Sequence, residues 1–183
     1  MNPLLLVGLI FGVAVGVTVY KTIKTAASLN YYITRFGIYQ IANNGNLVFR
    51  LRLKLTNPNS TELHINMIDL GAYLNAQYQT VNGKVEVVNR GNLIATVTDN
   101  QGFVIQGNGV TEKELYINAS WSDIGRYLLS NVNNIIQVIT GNINVSELLS
   151  ALVGESVLLY GSVKAEGVNI PIAQVVSIAN DVN

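Results

Sequence analysis

A chain of 183 residues with 49% apolar and 12% charged residues is long enough for one large domain, or for one domain and an appendage, and carries about half the charge usual for a soluble domain. Zero net charge and a pI near 6.6 exclude a global electrostatic drive toward nucleic acid. The absence of Cys excludes disulfides, thiol chemistry and Cys-based metal sites, and a single His leaves little for a metal centre or a catalytic triad.

Residues 3–20 carry no charge and read Pro-Leu-Leu-Leu-Val-Gly-Leu-Ile-Phe-Gly-Val-Ala-Val-Gly-Val-Thr-Val-Tyr. As a helix they would span about 27 Å, close to the hydrocarbon core of a bilayer at about 30 Å. Asn2 suits the N-cap and Pro3 the first helical position. Tyr20, Lys21 and Lys24 suit a membrane interface. The stretch is therefore read as a transmembrane helix. A secretory signal peptide would need a basic residue before the apolar run, and there is none. Lys21, Lys24 and Arg35 follow the run, so the positive-inside rule puts the remainder on the cytoplasmic side of a single-pass protein. Gly8, Gly12 and Gly16 recur every four residues, a smooth stripe suited to helix–helix packing with a partner or with a second copy.

Residues 21–29 read as helical continuation or linker, giving an anchor region of 1–29 and a domain of 30–183. Tyr31–Ile41 alternates loosely around Ile33, Phe36, Ile38 and Ile41, and Asn43-Asn44-Gly45 signals a turn. Leu47–Leu55 alternates strictly. Leu47, Phe49, Leu51, Leu53 and Leu55 share one face, and Val48, Arg50, Arg52 and Lys54 the other, which predicts a half-buried strand. The next run sets Leu63, Ile65 and Met67 against His64, Asn66, Ile68 and Leu70, so both faces carry apolar residues. Between them lies Asn57-Pro58-Asn59-Ser60. Pro58 cannot donate to a ladder and asparagine suits turns, so the two runs are read as a hairpin. Gly71 is a candidate bulge and Asn82-Gly83 a further turn. Arg90–Thr98, Gly102–Gln106 and Val110–Ala119 complete a strand-rich block.

At Trp121 the period changes. Ile124, Leu128, Leu129, Val132, Ile135, Ile136 and Ile139 fall at helical spacing, and Asn144-Val-Ser-Glu147 has the form of a capping box for a short helix ending at Gly154. Strands return at Ser156–Ala165 and Val168–Ile178, joined by Glu166-Gly167. The expected fold is mainly β: an immunoglobulin-like antiparallel β-sandwich with a helical insert at about 121–153, preceded by one transmembrane helix.

Leu55-Thr-Asn-Pro-Asn-Ser60, the strand ending Tyr73-Leu74-Asn75, Tyr160-Gly-Ser-Val163 and Gly167-Val-Asn-Ile-Pro171 resemble the late embryogenesis abundant type-2 domain, also called the water-stress and hypersensitive-response domain. The resemblance covers roughly residues 31–175, with Asn57, Pro58 and Asn59 as its turn motif. It implies a compact sandwich with a helix, often behind a membrane anchor, no catalytic residues, and roles in stress protection or membrane-associated binding. The helical stretch 121–153 is longer than that pattern expects.

No chemistry-bearing constellation stands out. His64 has no second His or Cys to join it, and no Gly-x-Ser-x-Gly or phosphate loop occurs. Arg50, Arg52 and Lys54 form the one charge cluster, a candidate contact for anionic headgroups or an acidic partner, weighed against a plain solvated face. No catalytic residue, cofactor, metal, nucleic acid or small-molecule substrate is expected. The expected partners are the lipid bilayer and other protein subunits, and the expected role is a non-enzymatic, membrane-anchored structural or assembly component. A membrane-containing virion is one such setting. The alternative is a cellular stress-protection or binding module of the resembled family.

Overall fold

The computed structural model describes residues 23–41, 46–119, 124 and 145–182. Besides helical residues at 23–27 and 124, they hold eleven strands and a helix with both ends described: β1 (Asn30–Ile41), β2 (Leu47–Thr56), β3 (Leu63–Leu74), β4 (Gln77–Val81), β5 (Lys84–Asn89), β6 (Asn92–Asp99), β7 (Phe103–Ile105), β8 (Val110–Ala119), α1 (Val145–Leu152), β9 (Ser156–Ala165), β10 (Val168–Ser177) and β11 (Ala179–Asn180). One sheet has the order β11-β1-β2-β8. The second has the order β10-β9-β3-β6, with β7 beside the start of β3, and β4-β5 form a separate ribbon. All pairs are antiparallel except β1 with β11. The apolar faces of the two larger sheets enclose one core, so the molecule is a β-sandwich.

Strict alternation along β2 does what it predicts except at Val48, which is expected on the wet face and is buried. Leu47, Phe49, Leu51, Leu53 and Leu55 are fully buried, and Arg52 and Lys54 face outward. Phe49 stacks on Phe36 of the neighbouring strand, with ring centroids 4.9 Å apart. The looser pattern in β1 and β3 comes from bulges. A register shift between Ile33 and Arg35 lets Ile33 and Phe36, three residues apart, both point inward. A second shift between Ile65 and Met67 does the same in β3. Leu63 and Ile65 are buried before it, and Ile68, Leu70, Ala72 and Leu74 after it. The two-faced apolar character of β3 is therefore a change of phase. The bulge expected at Gly71 is not there: Gly71 pairs regularly with Thr96 and Tyr160.

The expected hairpin is corrected. Among the described residues β2 pairs with β1 and β8, and β3 with β6, β7 and β9, and the two do not pair with each other. The Asn57–Glu62 connection carries the chain from one sheet to the other. Both strands bury one face, and an arch that lays the two faces against a common core satisfies the same alternation as a hairpin.

The Asn82-Gly83 turn occurs as expected, with φ of 51° and 76°, the left-handed pair of a tight ribbon turn. Gly154 ends α1 at φ 90°, and its N–H donates to Ile178 O at 2.9 Å. Of the helical stretch expected over 121–153, the described part is Ile124, helical and buried, and α1. The Asn144 cap and the Asn43-Asn44-Gly45 turn lie outside the described residues.

Residues 23–27 are helical, and Ala26 and Leu29 are buried in the core cluster. The stretch just before residue 30 therefore packs with the sandwich instead of forming a free linker. The expected membrane helix over 3–20 lies outside the described residues. Among those described, no helix is long and apolar enough to cross a membrane.

At Gly161 the backbone of β9 runs tight against that of β3. A Cβ there would fall on Asp69 O and stand 2.9 Å from Leu70 Cα. Gly161→Ala must part the two strands and is expected to cost about 2–4 kcal/mol. A thermal melt lowered by several degrees checks this, and an unchanged melt would count against the register of β3 and β9.

Candidate functional site

Two polar assemblies stand out, and both involve residues that the sequence singles out. The first is the sheet-to-sheet turn. Asn57 follows the last residue of β2 and is fully buried. Its Nδ2 donates to Thr61 O at 2.8 Å and to Ile105 O and Gln106 O, both at 3.2 Å. Its Oδ1 accepts from Asn59 N and Asn59 Nδ2, each at 3.1 Å. Its backbone N–H donates to Gly109 O at 2.9 Å. Asn59 Nδ2 in turn reaches Thr25 O at 3.1 Å and Ser28 Oγ at 2.6 Å. Pro58 is exposed at the tip. The motif is thus a clamp. Asn57 ties the turn to the β7–β8 connection, and Asn59 ties the turn to the segment that leads into β1.

The second assembly covers the outer face of the β11-β1-β2-β8 sheet. β11 sets Asp181 beside β1, with Asp181 N donating to Ile38 O at 2.9 Å. The Asp181 carboxylate has no accessible surface. It is gripped by the Arg35 guanidinium through Nε and Nη2, and accepts from Arg50 Nη2 at 3.0 Å. Gly37 makes room, because a Cβ there would stand 2.9 Å from the carboxylate carbon. The Arg35 hydrogen bond holds the Asp181 carboxyl below its ordinary range, with Arg50 adding to the effect against an opposing desolvation. The same hydrogen bond pushes Arg35 up. Arg50 lies 5.2 Å from the Tyr39 ring centroid, and Tyr39 packs at 5.2 Å against Tyr116.

The basic stripe is therefore largely answered by carboxylates. Arg50 meets Asp181. Arg52 Nε donates to Glu114 Oε1 at 2.6 Å, directly across the β2–β8 pair. That bond holds the Glu114 carboxyl down. Lys54 is exposed and sits opposite Glu112. Such exposed cross-strand pairs add little stability and consume the charge that an anionic ligand would need. Periodicity placed the arginines on this face. It could not show Asp181, which arrives from 131 residues further along the chain.

Lys24 is exposed, while Gly8, Gly12, Gly16, Tyr20 and Lys21 lie outside the described residues. His64 is exposed, 3.2 Å from Glu62. Among the described residues no group of three or more acidic or His side chains is placed to hold a metal ion.

An open groove of about 360 Å³ runs between β1 and β10, lined by Tyr32, Arg35, Gln174 and Ser177 among others. Gln174 closes its inner side as a substitute strand: its Oε1 accepts from Ile33 N at 2.8 Å and its Nε2 donates to Ile33 O at 2.9 Å. Arg35 is the titratable cation of this groove, and its guanidinium is committed to Asp181. The groove thus caps a strand edge.

No family model matches the chain, and no curated protein matches it. Two solved structures are similar in outline. A protein from Archaeoglobus fulgidus shares 7% identity at a TM-score of 0.43, over 81% of this chain and 90% of its own. A Northeast Structural Genomics Consortium target shares 9% identity at a TM-score of 0.43, over 84% of this chain and 87% of its own.

Proposed function

We propose that the chain is a non-catalytic, membrane-anchored structural module. In this reading an immunoglobulin-like sandwich with a helical insert is carried on a transmembrane helix over residues 3–20. It serves as an assembly component of a larger membrane-associated complex, of which a membrane-containing virion is one setting. One observation carries the reading. Asn59 binds Thr25 and Ser28, and Ala26 and Leu29 are buried, so the residues that follow the uncharged apolar stretch belong to the rigid body. An anchor joined this way transmits position, where a loose tether would not. The Asn57–Asn59 turn and the Arg35–Asp181–Arg50 cluster spend their polar groups on tying segments together, which also favours a scaffold. The turn that does the gripping is the feature shared with the late embryogenesis abundant type-2 pattern.

The test is extraction of membranes from cells making the full chain. It is expected to stay with the membrane pellet in alkaline carbonate, and a chain lacking residues 3–20 is expected to be released. The truncation must keep residues 23–29, because Ala26 and Leu29 belong to the core. Release of the full chain by carbonate would overturn the reading.

A further inference from the structure

The clamp says which end of the sandwich lies nearest the apolar stretch. Tyr20 ends that stretch and Thr25 is held by Asn59, so four residues lie between them and five Cα steps span the gap. Covalent geometry alone keeps Thr25 within about 18 Å of Tyr20, whatever path residues 21–24 take. The structure places several other segments at the same end. Asn57 N binds Gly109 O, Asn108 N binds Asn59 O, and Glu166 N binds His64 O. That end therefore comprises residues 23–30, the Asn57–Ser60 turn, the Gln106–Val110 connection and the Glu166–Gly167 turn. The opposite end holds Ser156, the first residue of β9. It lies nine residues from Ala165, about 30 Å along the strand.

We propose that the clamped end is a lipid-facing surface, docked on the phospholipid bilayer and held in that orientation by the Asn59 side chain. The inference rests on the anchored reading above. Its side chains suit an interface. Ile23 is 49% exposed and Val110 56% exposed, with Pro58 and Lys24 also open to solvent. In water these apolar groups gain nothing; at the headgroup boundary they are buried. Charge does not drive the contact. Lys24 is outnumbered by Glu62 and Glu166 at the same end, so no basic patch draws this surface to anionic lipid. The Arg50 and Arg52 guanidiniums stand about 13–20 Å up β2 from Thr56 and are already paired with carboxylates. The bilayer contact is thus apolar and set by tether geometry, and it does not depend on anionic lipid.

The chain has no Cys, so single labels can be placed cleanly. Full-length Val110→Cys and Ser156→Cys, each carrying an environment-sensitive fluorophore, are reconstituted into phosphatidylcholine vesicles containing headgroup-spin-labelled phosphatidylcholine. Carbonate resistance of the same vesicles scores the anchor separately. Quenching several-fold stronger at position 110 than at 156, unchanged when phosphatidylserine is added, is the expected result. Equal quenching in carbonate-resistant vesicles overturns the docking surface and leaves the anchor standing. Carbonate-sensitive protein overturns both. Quenching at 110 that appears only with phosphatidylserine overturns the apolar, charge-independent contact. Asn59→Ala, and separately Ser28→Ala, are expected to flatten the difference between the two positions while circular dichroism stays unchanged. A difference that survives both substitutions overturns the role of the clamp.

Discussion

Asn57→Asp is expected to be among the most damaging single changes of one atom group in this chain. The substitution keeps the shape and replaces an NH₂ donor with a carboxylate oxygen aimed at three carbonyls, Thr61 O, Ile105 O and Gln106 O. Among the described residues no cation is hydrogen-bonded to the position, and the side chain is fully buried. An unpaired buried charge costs about 3–5 kcal/mol. Asn57→Ala removes the same donors without adding charge and should cost about 2–4 kcal/mol, from carbonyls left without partners. The two variants separate further with pH. Burial and facing carbonyls raise the folded-state pKa of the introduced carboxyl above its unfolded value. Its penalty is therefore present in full at neutral pH and eases as pH falls toward the carboxylate range. Urea midpoints of the detergent-solubilised chain at pH 7 and at about pH 4.5 check this. The Asp variant should recover part of its loss relative to the parent, and the Ala variant should not. An Asp variant within about 1 kcal/mol of the parent at pH 7 would show that Asn57 is not the donor in this clamp.

That turn also shows how far the residues could be read in advance. The alternation of β2 and β8 predicts their bounds and faces, because a period of two leaves one assignment once one face is apolar. The same alternation cannot distinguish an arch from a hairpin. The chain reverses in both cases, and only the pairing partners differ. The irregular patterns of β1 and β3 are legible in hindsight as bulges. Two apolar residues three apart inside a strand, Ile33 and Phe36 or Ile65 and Ile68, are the sequence trace of an extra residue. Asn57 could be read as a turn former. Its acceptors at Ile105 and Gln106 could not, because they lie at the end of β7 and just beyond it, 48 and 49 residues away. The C-terminal strand was the least legible. β10 ends at Ser177, and Ile178 passes the chain to the other sheet, where two residues of β11 lie parallel to β1. So short a strand has no periodicity to detect. What fixes it is a carboxylate meeting two arginines, of which the sequence shows Arg50 only as part of a charged stripe and Arg35 only as a basic residue after the apolar run.

Asp181→Asn tests that last contact. Its carboxylate is the counter-ion for two guanidiniums on adjacent strands, and Gly37 ↔ Arg50 register brings them within reach of one acid. The neutral amide keeps an acceptor but leaves Arg35 and Arg50 facing each other without an anion. A loss of about 1–3 kcal/mol at pH 7 is expected, the range for hydrogen bonds to charged groups, toward its lower half because Arg35 is 46% exposed and screened by solvent. The folded-state pKa of Asp181 lies below its ordinary 3.8. Its contribution is therefore complete above that value and is lost as pH falls through the lower folded-state value. Parent and variant should differ in stability across neutral pH and converge on acidification below about pH 4. The convergence therefore reports protonation of the Asp181 carboxylate. If the gap holds constant into acid, the carboxylate does not carry the latch, and β11 is held to β1 by its backbone bonds instead.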